Sequence, residues 1–235
     1  MADSQLLFDQ PYYLAINEAR WLAAVNIIES LDPRPEGLWL DAACGPGWFS
    51  QKLRGLHEHI TGFDVRQDLL EIARERVPGV NFLQANIEQD SSVGALPNGD
   101  VVLCFGLLYH LENPFAALRR LGQLTKQWML LETMLAPGET PTLDYVVENQ
   151  NETQGATYQA TIPTRPTLHA MLEASGFSHI YRYTEEIAHA DFIETETSFR
   201  KREIYLCGRQ SITTSKLARA IPPNFGKISY VKPPQ

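Results

Sequence analysis

The sequence predicts an α/β fold built on a mostly parallel sheet, and three observations lead there. Short apolar runs alternate with helix-like segments from about residue 38 to residue 133. The runs are bounded by Gly and Pro, as buried strands are. Acids and glycines stand at the ends of those runs, the edge where an open α/β sheet binds its ligand.

The elements follow in order. Tyr12 to Leu31 has helical character, with Leu14, Trp21, Leu22, Val25, Ile28 and Leu31 approximating one apolar stripe, and Pro33 and Pro35 end it. A strand at 38–42 leads to a helix from about Trp48 to Leu56. A second strand, 60–64, leads to a helix from Gln67 to Arg76 that stops at Pro78-Gly79. A third strand, Val80 to Gln84, precedes Asn86-Ile87-Glu88. Asp100 to Phe105 is a continuous apolar run, typical of a strand covered on both faces. A helix over 114–125 has Asn113 as N-cap and Pro114 at its first position, and a strand from Trp128 to Thr133 follows. This βαβ rhythm places helices on the sheet, and right-handed crossovers bring the strands' carboxyl ends to one edge. The 135–162 stretch breaks the rhythm: it is polar, without sustained periodicity, and reads as a lid-like insertion or a surface loop. Beyond it a helix from Thr167 to Ser175 stops at Gly176, and runs at 177–183 and 203–208 suggest an antiparallel pair at the sheet edge. The expected organisation is an N-terminal helix or cap over 1–35, one main domain over 36–210 and a basic tail over 211–235.

Bulk properties narrow the classes. A chain of 235 residues buries a sizeable core, and 44% hydrophobic against 20% charged residues excludes wholesale disorder. No apolar run approaches a membrane span, and Met1-Ala2-Asp3-Ser4-Gln5 lacks the basic start of a secretory signal, so a cytoplasmic location is expected. Three scattered cysteines, Cys44, Cys104 and Cys207, form neither a disulfide framework nor a zinc pattern, and no metal is expected. The net charge is −8, yet residues 200–235 hold eight basic side chains against the single acid Glu203. The rest of the chain is therefore strongly acidic, which opposes non-specific binding to a phosphate backbone. The basic end reads as a solvated tail or a segment docked on its own acidic domain.

The chemistry concentrates in Asp41-Ala42-Ala43-Cys44-Gly45-Pro46-Gly47, a strand end running into a glycine turn. Gly45 and Gly47 carry no Cβ, so the backbone turns sharply and comes close to a ligand. Asp41 stands where a ligand's cationic amino group would want an acid. Asp64 closes the next strand about 20 residues after the turn, the spacing of an acid that grips ribose hydroxyls. Asp41, Asp64, Asn86, Gly106 and Glu132 are all expected just beyond strand ends.

With these residues in view, the chain over about 36–208 resembles class I S-adenosylmethionine-dependent methyltransferases. The resemblance implies a Rossmann-like fold with a mostly parallel seven-stranded sheet and helices on both faces. It also implies S-adenosyl-L-methionine as cofactor and S-adenosyl-L-homocysteine as product. Asp41, Ala43, Gly45 and Gly47 would lie near the amino-acid tail, Asp64 with Val65 at the ribose, Asn86 with Ile87 at the base, and Gly106 and Leu107 beside them. A narrower resemblance joins Phe105-Gly106-Leu107-Leu108-Tyr109-His110, Leu130-Leu131-Glu132-Thr133 and Ile162-Pro163-Thr164 to the family that modifies the tRNA wobble uridine to 5-carboxymethoxyuridine. There the matching tyrosine helps to hold a carboxylated cofactor, a role that would fall to Tyr109. That family's long N-terminal extension has no counterpart here, and the acidic body lacks a basic groove, so plain S-adenosylmethionine and a small-molecule or saccharide acceptor are expected.

Alignment of nucleophile, methyl and sulfur supplies much of such a reaction. A base helps only an acceptor that carries a proton. Tyr109 and His110 are the polar residues expected at the methyl, with His110 as base and Glu132 orienting it or binding the acceptor. Three alternatives are weighed beside this reading. An RNA methyltransferase would gather its basic residues beside the cleft. A nicotinamide-dependent oxidoreductase is disfavoured because Ser50 replaces the third glycine of its fingerprint and Asp41 would repel a pyrophosphate. A non-catalytic cofactor-binding module would keep Asp41 and Asp64 and tolerate loss of Tyr109 and His110. Oligomeric state stays open.

Overall fold

The structure, a computed structural model, describes residues 6–149, 156–193 and 201–226. A 3-10 turn at Leu7–Asp9 precedes helix α1, Pro11–Ile28. Leu14 and Leu22, expected on its inner stripe, are 39% and 60% exposed. The buried face carries the expected Trp21 and Ile28 together with Ile16, Ala24 and Ile27, interrupted by the polar Asn17 and Arg20. Apolar residues and alanines surround most of α1, so periodicity does not single out its inner face.

The elements then alternate: β1 (Trp39–Ala42), α2 (Trp48–Arg54), β2 (Ile60–Asp64), α3 (Gln67–Arg76), β3 (Asn81–Gln84), the one-turn α4 (Asp90–Val93) and β4 (Gly99–Phe105). They continue through α5 (Pro114–Leu124), β5 (Thr125–Met134), β6 (Leu143–Val147), β7 (Gln159–Pro163), α6 (Arg165–Ala174), β8 (His179–Tyr183), β9 (Arg202–Gly208) and β10 (Leu217–Arg219). The Asn113 side chain accepts from the Ala116 amide at 3.0 Å, and Pro114 takes the first helical position of α5.

The main sheet has the order β10-β8-β9-β5-β4-β1-β2-β3. Neighbours from β3 to β5 are parallel, whereas β9, β8 and β10 add antiparallel strands beyond β5. Seven strands were expected; the eighth is β10, in which Arg219 pairs with Tyr181 of β8. Part of the segment read as a tail thus extends the sheet. Two apolar cores sandwich it. One packs α1, α2 and α3 through Ile27, Leu53 and Leu70 onto Trp39, Leu103 and Leu130. The other packs α5 and α6 through Leu118, Leu121 and Leu172 onto Leu40, Val102 and Met129. Each strand divides its side chains between the two cores, as the period of two requires.

Strand order reverses between β1 and β4, which opens a crevice at their carboxyl ends. Over that crevice the 135–162 insertion forms a two-stranded antiparallel ribbon, β6 with β7. Thr161 pins it to the turn after β4: its amide donates to the Leu111 carbonyl at 2.9 Å and its hydroxyl to the Glu112 carbonyl at 3.1 Å. Among the described residues, no helix is long and apolar enough to cross a membrane.

Candidate active site

The loop after β1 is the most contorted backbone in the crevice. Ala43, Gly45 and Gly47 have φ of +56°, +51° and +86°. For Ala43 that left-handed conformation costs on the order of 1–3 kcal/mol and marks a loop held for a purpose. A Cβ on Gly47 would come within 3.2 Å of Ala73 and Val77, so this glycine lets the loop pack on α3. Asp64, at the end of β2, fastens the loop. One of its carboxylate oxygens accepts from the Gly45 amide at 2.9 Å and the other from the Arg66 amide at 2.9 Å.

Asp41 behaves differently. It was expected at the cofactor's amino-acid tail, but it lies beneath the loop, 2% exposed, where it accepts from the Ser50 hydroxyl at 2.6 Å. Burial pushes its carboxyl up to about 7; the Ser50 hydrogen bond offsets part of the rise, and the charge of Asp64 adds to it. Ser50 thus occupies the third-glycine position as the buried partner of an acid.

The crevice is a cleft of about 750 Å³, within the roughly 300–1,000 Å³ of small-molecule sites. Ala43, Gly45, Asp64, Val65, Asn86, Ile87, Gly106, Leu107, Tyr109 and His110 line it. Asp41, Gly47 and Glu132 do not. Asp41 and Gly47 face the packing under the loop. Glu132 was expected beyond a strand end, yet it sits inside β5 between Phe105 of β4 and Ile204 of β9, and is fully buried.

Glu132 anchors a polar cluster behind one wall. It pairs with Arg20 of α1 and Arg202 of β9, each at 3.0 Å, and accepts from the Gly106 amide at 2.9 Å. Burial alone would raise its carboxyl, but the two guanidinium groups hold it below the usual value. Arg202 also donates to Asp191 at 3.0 Å, and Asp191 accepts from the Tyr12 hydroxyl at 2.7 Å. Arg20 reaches Asn17 at 2.9 Å and the Tyr109 hydroxyl at 3.3 Å, while the Arg202 guanidinium lies 4.6 Å from the centre of the Tyr109 ring. Gly106 has φ +74°, a left-handed conformation that favours glycine there. The Nε of Arg20 is buried and has no hydrogen-bond partner among the described residues.

Beside this wall is His110, its ring 4.3 Å from that of Tyr109. Its Nδ1 is hydrogen-bonded to a carboxylate, and that carboxylate is Glu148, just past β6 on the ribbon. Glu132, expected to orient His110, has its partners elsewhere. Sequence reasoning missed Asn17, Arg20, Glu148, Asp191 and Arg202. Only Asn17 and Arg20 left a local signal: polar residues three apart on a helix face otherwise apolar.

Cys44, Cys104 and Cys207 are buried free thiols, and burial raises each above its ordinary value. Among the described residues, no group of His, Cys, Asp and Glu is arranged to hold a metal ion.

A family model described as a methyltransferase domain matches residues 40–127, the segment that carries the loop, Asp64, Asn86, Tyr109 and His110. Trans-aconitate 2-methyltransferase of Rhodopseudomonas palustris (strain BisB18) is 33% identical over 48% of this chain and 44% of its own length. The mitochondrial ubiquinone biosynthesis O-methyltransferase of Saccharomyces cerevisiae is 29% identical over 46% of this chain and 36% of its own length. The chain thus spans less than half the length of these curated relatives. In three dimensions it is similar to the N-terminal domain of EvdMO1, crystallised with S-adenosylhomocysteine, at a TM-score of 0.62 and 22% identity over 84% of this chain and 81% of that one. It is also similar to CalS10, an amino pentose methyltransferase from Micromonospora echinaspora crystallised with S-adenosylmethionine, at 0.57 and 19% identity over 84% of this chain and 96% of that one. Residues 40–127 thus match the methyltransferase-domain model, and the chain has the Rossmann-like fold of these solved methyltransferase structures.

Proposed function

We propose that this protein is an S-adenosylmethionine-dependent methyltransferase acting on an oxygen or nitrogen of a small-molecule or saccharide acceptor. One observation carries the reading: a carboxylate at the end of β2 and a left-handed glycine loop after β1, tied together at 2.9 Å, line one side of the cleft. That donor set suits a nucleoside with a zwitterionic tail. Asp64 accepts from the ribose hydroxyls, Asn86 and Ile87 flank the base, and the 43–47 loop wraps the tail. Asp41 supports the loop from below. When bound, S-adenosylmethionine supplies an electrophilic methyl on a sulfonium. The protein's task is then to hold the acceptor in line and keep water out.

A small acceptor fits better than tRNA. Four of the five described basic residues near the C-terminus are spent in separate places: Lys201 on Glu203, Arg202 on Glu132 and Asp191, Arg209 on the Gly122 and Thr125 carbonyls, and Lys216 on Asn26. Groups spent in this way are not free to line a phosphate backbone. A carboxylated cofactor is likewise disfavoured, because the two arginines at Tyr109 are matched by Glu132 and Asp191 and leave no surplus positive charge.

Incubation with methyl-radiolabelled S-adenosylmethionine and a panel of alcohols, phenols, amines, sugars and short RNAs tests the reading. Label is expected in a small acceptor. Label in RNA alone would refute the small-acceptor assignment, and cofactor binding without transfer to any acceptor would favour a non-catalytic module.

A further inference from the structure

We infer that His110 and Glu148 form a base-and-orienter pair, and that the acceptor is therefore one that carries a proton on its attacking atom, as an alcohol or phenol does, rather than a carboxylate. The inference rests on the methyltransferase reading and goes beyond it by assigning a residue outside the matched domain and by choosing the acceptor's chemistry.

Three observations support it. His110 follows β4 in the turn that lines the cleft, and its ring lies 4.3 Å from that of Tyr109. Its Nδ1 is bonded to the Glu148 carboxylate, and both side chains are mostly shielded from solvent, at 13% and 15% exposed. In the neutral ring, a carboxylate that accepts from Nδ1–H leaves Nε2 bare, which is the arrangement of a general base. Third, the ribbon that delivers Glu148 is bonded through Thr161 to the backbone of Leu111 and Glu112, so the orienter's ribbon is tied to the residues that follow the base.

The acceptor class follows from what such a pair is good for. A carboxylic acid is already ionised at neutral pH and needs no base. It would instead call for unspent positive charge, and the three arginines that line the cleft, Arg20, Arg66 and Arg202, are each paired with a carboxylate. An alcohol or phenol keeps its proton, and removing it is where a base contributes. In the step assigned here, the acceptor oxygen forms a C–O bond to the methyl carbon as the C–S bond breaks. The breaking bond's electron pair stays on sulfur, giving neutral S-adenosylhomocysteine. The hydroxyl proton passes to Nε2 of His110 and then to water. Glu148 touches neither donor nor acceptor; it is a positioning residue.

The test uses the full chain with His110→Ala, Glu148→Gln and Glu148→Asp. Histidine nitrogen shifts, recorded by NMR in mildly alkaline buffer, are expected to show the Nδ1–H tautomer at position 110 in the wild type and its loss in Glu148→Gln, while calorimetry shows unchanged S-adenosylhomocysteine binding. Methyl transfer is then followed with catechol and methyl α-glucoside as hydroxyl probes and trans-aconitate as the carboxylate probe. A hydroxyl probe is expected to turn over. For that probe, His110→Ala should lower kcat by about 10²–10⁴-fold. Glu148→Gln should lower it roughly tenfold or more at unchanged KM for S-adenosylmethionine, and Glu148→Asp should restore most of it. An Nε2–H tautomer in the wild type, preference for trans-aconitate, or an unchanged kcat in Glu148→Gln overturns the inference. Loss of S-adenosylhomocysteine binding by the wild type would instead sink the underlying methyltransferase reading.

Discussion

On the β2 and β3 side of the cleft, the polar groups come from residues at or just past a strand end: the 43–47 loop, Asp64 and Asn86-Ile87. On the opposite side, Arg20, Asp191, Arg202 and Glu148 come from a helix, a 3-10 turn, an antiparallel strand and a ribbon spread along most of the chain. The first side rests on backbone geometry and one short hydrogen bond per contact. The second holds its side chains by buried charge pairs and by a ribbon bonded to the turn it covers. The contrast suggests a division of labour: a locally encoded half suited to a constant ligand, and a half assembled by tertiary packing, where one family can vary its acceptor.

The largest effect expected from this contrast lies at Glu132. Glu132→Ala removes the shared partner of Arg20 and Arg202 and leaves the Gly106 amide without its acceptor. Breaking a buried pair in this way costs about 3–5 kcal/mol. Urea denaturation should show a loss of that size, and a loss under about 1 kcal/mol would mean that the cluster does not organise its wall.

That difference also explains what could be read from the sequence. The parallel strands, the Gln67–Arg76 helix and the Asn113-Pro114 cap were legible because each is specified by neighbours within a few residues. The glycine loop and Asp64 were legible for the same reason. Arg20 and Asn17 were not, since they interrupt a helix face that reads as uniformly apolar. Arg202 looked like part of a basic tail, yet its register opposite Met134 turns its guanidinium inward to Glu132. Glu148 lies in a stretch without periodicity, and only the pairing of β6 with β7 reveals its position over His110. Glu132 was recognised as special while its place was misread, because a strand's end is less well marked than its middle.

A smaller effect sharpens the local half. With the Asp41 carboxyl raised to about 7, the folded state holds a proton that the unfolded chain releases near pH 4. Stability is therefore expected to fall as pH rises from about 4 to about 7, by up to about 1.4 kcal/mol per pH unit, and to level off above. Asp41→Asn should lose this slope in denaturation curves recorded between those values. An unchanged slope would place the proton on another group and Asp41 outside the buried role described.

Titration calorimetry with S-adenosylhomocysteine, on the wild type and on Asp64→Ala, reaches the heart of the account. One molecule should bind per wild-type chain, and the variant, folded by circular dichroism, should bind about 10- to 100-fold more weakly through loss of charge-assisted hydrogen bonds worth about 1.5–3 kcal/mol. Silence from the wild type, or equal affinity in both proteins, would contradict it.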